Sequence, residues 1–159
     1  MKKSLCKLTS FIPLLLLFVS FVYSTLALKK QEIKVAEPFS YKRIYSDSKG
    51  ESHFANEEVL FKLVDFSPPA PPVSVSDAIN VEAVVFISSP SGWFGNWHPA
   101  PRRQFIFVIS GELEVEVSDG EKCRFGSGSI ILVEDTKGKG HVSRVVSKER
   151  GYAVAVPLK

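Results

Sequence analysis

The chain has 159 residues, 45% hydrophobic and 23% charged, which suits one domain with a core of its own. Its formal charge of +3 disappears once Lys2, Lys3 and Lys7 are set aside, leaving 17 Lys and Arg against 17 Asp and Glu. A neutral domain with interspersed signs offers no basic stripe for phosphates, so nucleic acid is not an expected partner.

Those three lysines precede an uncharged stretch, residues 8–28, densest in apolar side chains over 11–23. A basic start, an apolar run and the small residues around Thr25-Leu26-Ala27 form the pattern of a secretory signal peptide over 1–27, cleaved after Ala27. The rival is an uncleaved anchor, because 21 uncharged residues at about 1.5 Å each just cross a hydrocarbon core of about 30 Å. Pro13 and the polar Ser and Thr residues weaken that rival. Both readings export the folded part, to the periplasm or the exterior, and a membrane is a partner only if the segment stays attached. After cleavage Cys123 is the one remaining cysteine, so no internal disulfide is expected, and Cys6 lies ahead of the apolar run, unlike a lipoprotein anchor.

Residues 28–58 are polar with scattered aromatics and read as an N-terminal arm, with a turn at Ser46-Asp47-Ser48-Lys49-Gly50. Residues 59–66 have the apolar content of a strand. The following Ser67-Pro68-Pro69-Ala70-Pro71-Pro72 reads as a stiff, extended connector, since its prolines remove ladder donors. Short β-branched or aromatic runs then recur at 81–87, 104–110, 112–117, 122–125, 129–133, 141–146 and 152–156, punctuated by Gly, Pro, Ser and Asp. In Glu112-Leu113-Glu114-Val115-Glu116-Val117 the alternation is strict, predicting a half-buried strand. Asp119-Gly120 follows as a two-residue hairpin turn into 122–125. Residues 105–109 and 130–133 are apolar on both parities, as in strands covered on both faces. No amphipathic helix appears. The fold class is all-β, a sandwich or barrel over 59–159.

Candidate chemistry concentrates in Gly92-Trp93-Phe94-Gly95-Asn96-Trp97-His98-Pro99-Ala100-Pro101-Arg102-Arg103-Gln104, with Gly111 after it, and in Glu134-Asp135-Thr136-Lys137-Gly138-Lys139-Gly140-His141. The spacing of Gly92, His98, Gln104 and Gly111 resembles the first motif of the cupin superfamily. Gly128, Gly138 and His141 echo the second, with Thr136 in place of its proline. The wording of both segments, together with Ser52-His53-Phe54 and the proline tract, is similar to a subgroup of small single-domain cupins.

That resemblance implies a double-stranded β-helix, or jelly-roll, barrel and a site inside it. Cupin metalloenzymes hold Fe, Mn, Ni, Cu or Zn with three histidines and a glutamate. Carried over, the metal ligands are His98 and His141, with Gln104 or His53 as further donors. The pattern departs where Ala100 replaces a second histidine and Gln104 replaces the glutamate. Glu134 and Asp135 are nearby carboxylates that would complete three ligands. If the backbone is extended, residues 98, 100, 102 and 104 share a face.

Arg102 or Arg103 would clamp a substrate carboxylate, or would lock the barrel rim against Glu134 or Asp135. Trp93, Phe94 and Trp97 suit a lipophilic ligand, a subunit contact or core packing. Substrate-binding residues are therefore expected at Trp97, Arg102, Arg103 and Gln104. Lys137-Gly138-Lys139-Gly140 reads as a flexible turn, and Cys123 as a buried structural thiol. Two functions stay open: an exported small-molecule-binding cupin, in its enzymatic form a metal-dependent oxygenase or isomerase, and a metal-free binding or structural cupin. The resemblance also implies a homodimer.

Overall fold

The computed structural model describes residues 32–159, so the segment read as signal peptide or anchor lies outside the described residues. Among the described residues no helix is long and apolar enough to cross a membrane. The strands, in order, are β1 (Phe39–Ser46), β2 (Ser52–Val59), β3 (Lys62–Val64), β4 (Val73–Val75), β5 (Val85–Ser89), β6 (Phe94–His98), β7 (Gln104–Ser110), β8 (Leu113–Val117), β9 (Lys122–Phe125), β10 (Ile130–Val133), β11 (His141–Val145) and β12 (Gly151–Pro157).

A six-stranded sheet has the order β2-β1-β10-β7-β12-β5 and a four-stranded sheet the order β6-β11-β8-β9. From β5 to β12 every connection changes sheet except the β8–β9 hairpin, which is the winding of a jelly roll. Its inner parity carries the core: Ile44, Val108, Ile131 and Val133 from the larger sheet meet Val115, Val117 and Phe125 from the smaller one. Each such side chain contributes about 1.5–3 kcal/mol on leaving water.

Three features differ from the sequence reading. The expected arm over 28–58 is part of the barrel sheet from Phe39 onward: β1 runs parallel to β10 and pairs along its other edge with β2. Its aromatic and polar residues look like a tail because only one parity packs, with Ile44 and Phe54 side by side facing inward. The proline tract, expected as a stiff, extended connector, instead closes a small ribbon, β3 with β4. The hairpin after β8 forms as expected, yet it closes over three residues. The Val117 N–H donates to the Glu121 carbonyl and only Gly120 (φ 95°) is left-handed, the geometry of a type I turn with a glycine bulge.

The outward parities of the two sheets differ. On the smaller sheet Arg144 meets Glu116 at 2.8 Å and Glu114 at 3.1 Å, Arg124 meets Glu114 at 2.9 Å, and Lys122 meets Glu116 at 3.2 Å. On the larger sheet the residues in register are Phe86, Val154, Phe107 and Ile130, then Val156, Phe105 and Leu132.

Candidate functional site

Between the sheets lies a cavity of about 310 Å³, walled mostly by Ile87, Ile106, Val108, Leu113, Val115, Ile131 and Val145. His98, Gln104 and His141 supply polar groups to this apolar wall, and Ser143 and Glu112 also line it.

β6 runs antiparallel to β11 with His141 opposite His98, so the two imidazoles sit side by side on one face. Their ring centroids are 4.9 Å apart and the planes are tilted by 50°. Each ring is held by its Nδ1. His98 Nδ1 lies 2.6 Å from the Asn96 carbonyl, which only accepts, so Nδ1 carries the hydrogen. His141 Nδ1 donates to Asp135 Oδ2 at 2.7 Å. A ring that carries its hydrogen on Nδ1 alone leaves Nε2 as an acceptor.

Asp135 is fully buried and its Oδ1 has no hydrogen-bond partner, so its whole polar investment is in His141. Its backbone carbonyl also accepts the Ala100 N–H at 3.0 Å, which ties the segment after His98 to the segment before His141. The glycines nearby are demanded by close approach rather than flexibility. A Cβ on Gly140 (φ +71°) would fall 2.0 Å from the His98 carbonyl oxygen, and one on Gly138 (φ +83°) would fall 2.3 Å from the Gly50 carbonyl oxygen. Ser52, wholly buried, donates its hydroxyl to the Gly140 carbonyl at 2.6 Å. The reading of 137–140 as a flexible turn is thus replaced by a tightly packed one.

The expected site residues divide. His98, Gln104 and His141 come together at the cavity, and Ala100, 3% exposed, lines it where the family pattern has an imidazole. Arg102 and Arg103 do not line it. Arg102 pairs with Glu82 at 3.2 Å, and Arg103 Nε donates to Glu134 at 2.7 Å, the rim lock rather than the substrate clamp. The shared face holds for His98, Ala100 and Gln104, which all line the cavity, and fails for Arg102, because β6 ends at His98 and residues 101–103 bend before β7 begins. Trp97 is half exposed outside the cavity, while Trp93 lines it.

His53 is elsewhere on the surface, its Nδ1 2.6 Å from Asp119 and its Nε2 3.5 Å from Asp47. The Asp119 hydrogen bond, then those of Asp47, hold the His53 imidazole above its usual range. Cys123 is partly buried and its thiol is pushed up by burial. Asp135 was foreseeable only as a possible ligand, since nothing in the spacing of an aspartate six residues before a histidine announces a contact.

A metal centre of the kind that the family pattern implies does not fit this donor set. The two imidazoles and the neutral amide provide no carboxylate, the Glu112 carboxylate on the cavity wall is paired with Arg124 at 3.3 Å, and among the described residues no group of three His, Cys, Asp or Glu side chains is placed to hold a metal ion. Glu134 is taken by Arg43 and Arg103, and Asp135 stands behind His141 instead of beside it.

No family model matches the chain, and no curated protein matches it. Solved structures do. A cupin domain from Bordetella pertussis is 17% identical, with 52% of this chain and 90% of that chain covered and a TM-score of 0.40. An RmlC-like cupin from Shewanella frigidimarina is also 17% identical, covering 80% and 96%, with a TM-score of 0.39. A conserved protein of unknown function from Streptococcus pyogenes is 20% identical at a TM-score of 0.38, over 48% of this chain, which spans 62% of that one. The strand order found here is itself that of the jelly-roll barrel expected from the motifs.

Proposed function

We propose that this protein is an exported, metal-free binding barrel. It takes a small, largely apolar molecule into the cavity and holds one polar group of it on the Nε2 atoms of His98 and His141. The observation that carries the reading is the pair itself, two rings held at Nδ1 by Asn96 and Asp135 on the wall of an apolar cavity of about 310 Å³. Such acceptors suit a hydroxyl or amide N–H of the ligand, with Gln104 able to donate or accept beside them. Export rests on the basic, apolar, small-residue pattern of residues 1–27.

The test is a spectral titration of isotopically labelled protein with small aromatic alcohols, amides and carboxylic acids. Saturable shifts confined to cavity residues, at least tenfold weaker in His98→Ala and His141→Ala, support the reading. Absence of binding across the panel, or binding that both variants retain, refutes it.

A second reading, proton transfer within the bound molecule as in a metal-free isomerase, is favoured by the Asp135–His141 contact. A carboxylate on Nδ1 orients a ring whose Nε2 then serves as a base. It requires that Asp135→Asn retain binding but lose turnover of a ligand found in the titration.

A further inference from the structure

The cavity wall is one-sided in charge. No lysine or arginine lines it, and its charged side chain besides the imidazoles is an acid, Glu112, already shared with Arg124. Arg102 and Arg103, close in sequence to His98, are spent on Glu82 and Glu134 at the rim. Behind His141 stands Asp135, wholly buried, its Oδ1 without a partner and neither oxygen paired with a lysine or arginine among the described residues. Trp93 adds an aromatic surface at the same corner. A Cβ on Gly95 would fall 2.8 Å from Trp93 Cη2 and 3.5 Å from His98 Cε1, so the indole and the imidazole meet over bare glycine backbone. Both rings reach solvent, Trp93 being 39% exposed, and this corner is the mouth of the cavity.

We infer that the polar group held at the imidazole pair is a protonated amine, and that the ligand is a small organic ammonium ion with an apolar body. This ligand class rests on the binding reading above and narrows it. An ammonium has several N–H donors and serves two Nε2 acceptors at once, with the ring centroids 4.9 Å apart, whereas a hydroxyl has one hydrogen to give. Its charge is drawn by the Asp135 carboxylate behind His141 and by the indole beside His98, tryptophan being the aromatic side chain that attracts cations best. A carboxylate ligand meets Asp135 as repulsion and finds no guanidinium or lysine on the wall to hold it. At the mouth the cation keeps part of its water, so the desolvation that an ion suffers in an apolar interior is only partly incurred. The apolar body goes to Ile87, Ile106, Val108 and Val115.

Spectral titration of the labelled protein with 2-phenylethylamine, 2-phenylethanol and phenylacetate, which share one apolar body, tests the class. It is run at about pH 8, above the ordinary imidazole range and below that of an alkylamine. The amine is expected to bind about tenfold tighter than the alcohol, with phenylacetate the weakest. In Trp93→Leu and in Asp135→Asn the ratio of amine to alcohol affinity falls about threefold or more, whereas Trp97→Leu, outside the cavity, keeps it. Alcohol or acid binding as tightly as the amine, with shifts at cavity residues, overturns the inference and leaves the binding barrel standing. No binding of the amine also overturns it, and the wider panel above then decides whether the barrel binds at all. A preference for the amine that survives both Trp93→Leu and Asp135→Asn overturns it equally. Should one of these variants fail to fold, the other decides.

Discussion

Glu114, Glu116, Arg124 and Arg144 cover the outside of the four-stranded sheet, while Phe86, Phe107, Ile109 and Val154 occupy the equivalent parity of the six-stranded one. Both sheets bury their inner parity against the same core, so the difference lies in their outer faces alone. Charge pairs at partly exposed sites add little to stability but keep a face in water. An apolar row adds nothing until it is covered. An apolar strand pattern thus has two meanings: strict alternation in β8 reports solvent on one side, and apolar residues on both parities of β7 and β10 report an outer face that is buried at Phe105 and Leu132 and exposed at Ile109.

Substitutions at graded depths sharpen this contrast. Ile131→Ala, on the inner parity and 1% exposed, removes packing shared by both sheets and is expected to cost about 2–5 kcal/mol in urea unfolding. Gly140→Ala forces its new methyl into the His98 carbonyl and should cost about 2 kcal/mol or more, displacing the imidazole pair and weakening ligand binding as well. If it melts like wild type, the close packing of the two motifs is wrong.

On the charged face, Glu114→Gln should leave the melting temperature within error at moderate salt, despite hydrogen bonding by Arg124 that holds its carboxyl below the usual range. A large loss there would contradict the reading of this face as water-facing.

The smallest effect is expected where the two sheets are tied at one rim. His53 on β2 pairs with Asp119 in the β8–β9 turn and faces Asp47, with the Tyr45 ring beside it. Its raised pKa means that the imidazolium pair stabilises the fold fully below about pH 6.5 and fades as pH rises through the higher folded value. Backbone donation by Glu121, and then His53, lower Asp119, so its share is present above about pH 4 and is lost as pH falls through the lower folded value. The melting difference between wild type and His53→Gln should therefore peak between those limits and shrink toward pH 8. A difference that grows with pH would contradict the pairing.

Much of the barrel was legible because its strands are punctuated and the β8–β9 alternation is unambiguous. β6 was not foreseen, since Phe94-Gly95-Asn96-Trp97-His98 has little β propensity and is a strand because β11 pairs with it. β1 and β2 looked like an arm because half of their residues face water. In the site, motif spacing located His98, His141 and Gln104, but it placed Arg102 and Arg103 by assuming an extended backbone that the bend at 101–103 breaks. What made the histidines a pair, Asp135 and the Asn96 carbonyl behind them, is tertiary and carries no signature in spacing.

The most direct test of the central claim is elemental analysis by mass spectrometry of protein purified without chelators, beside His98→Ala and His141→Ala. The wild type is expected to carry well under one equivalent of any transition metal, with no change in either variant. One equivalent of a single metal in the wild type, lost in both variants, would contradict it and make the pair the ligands of a metal centre.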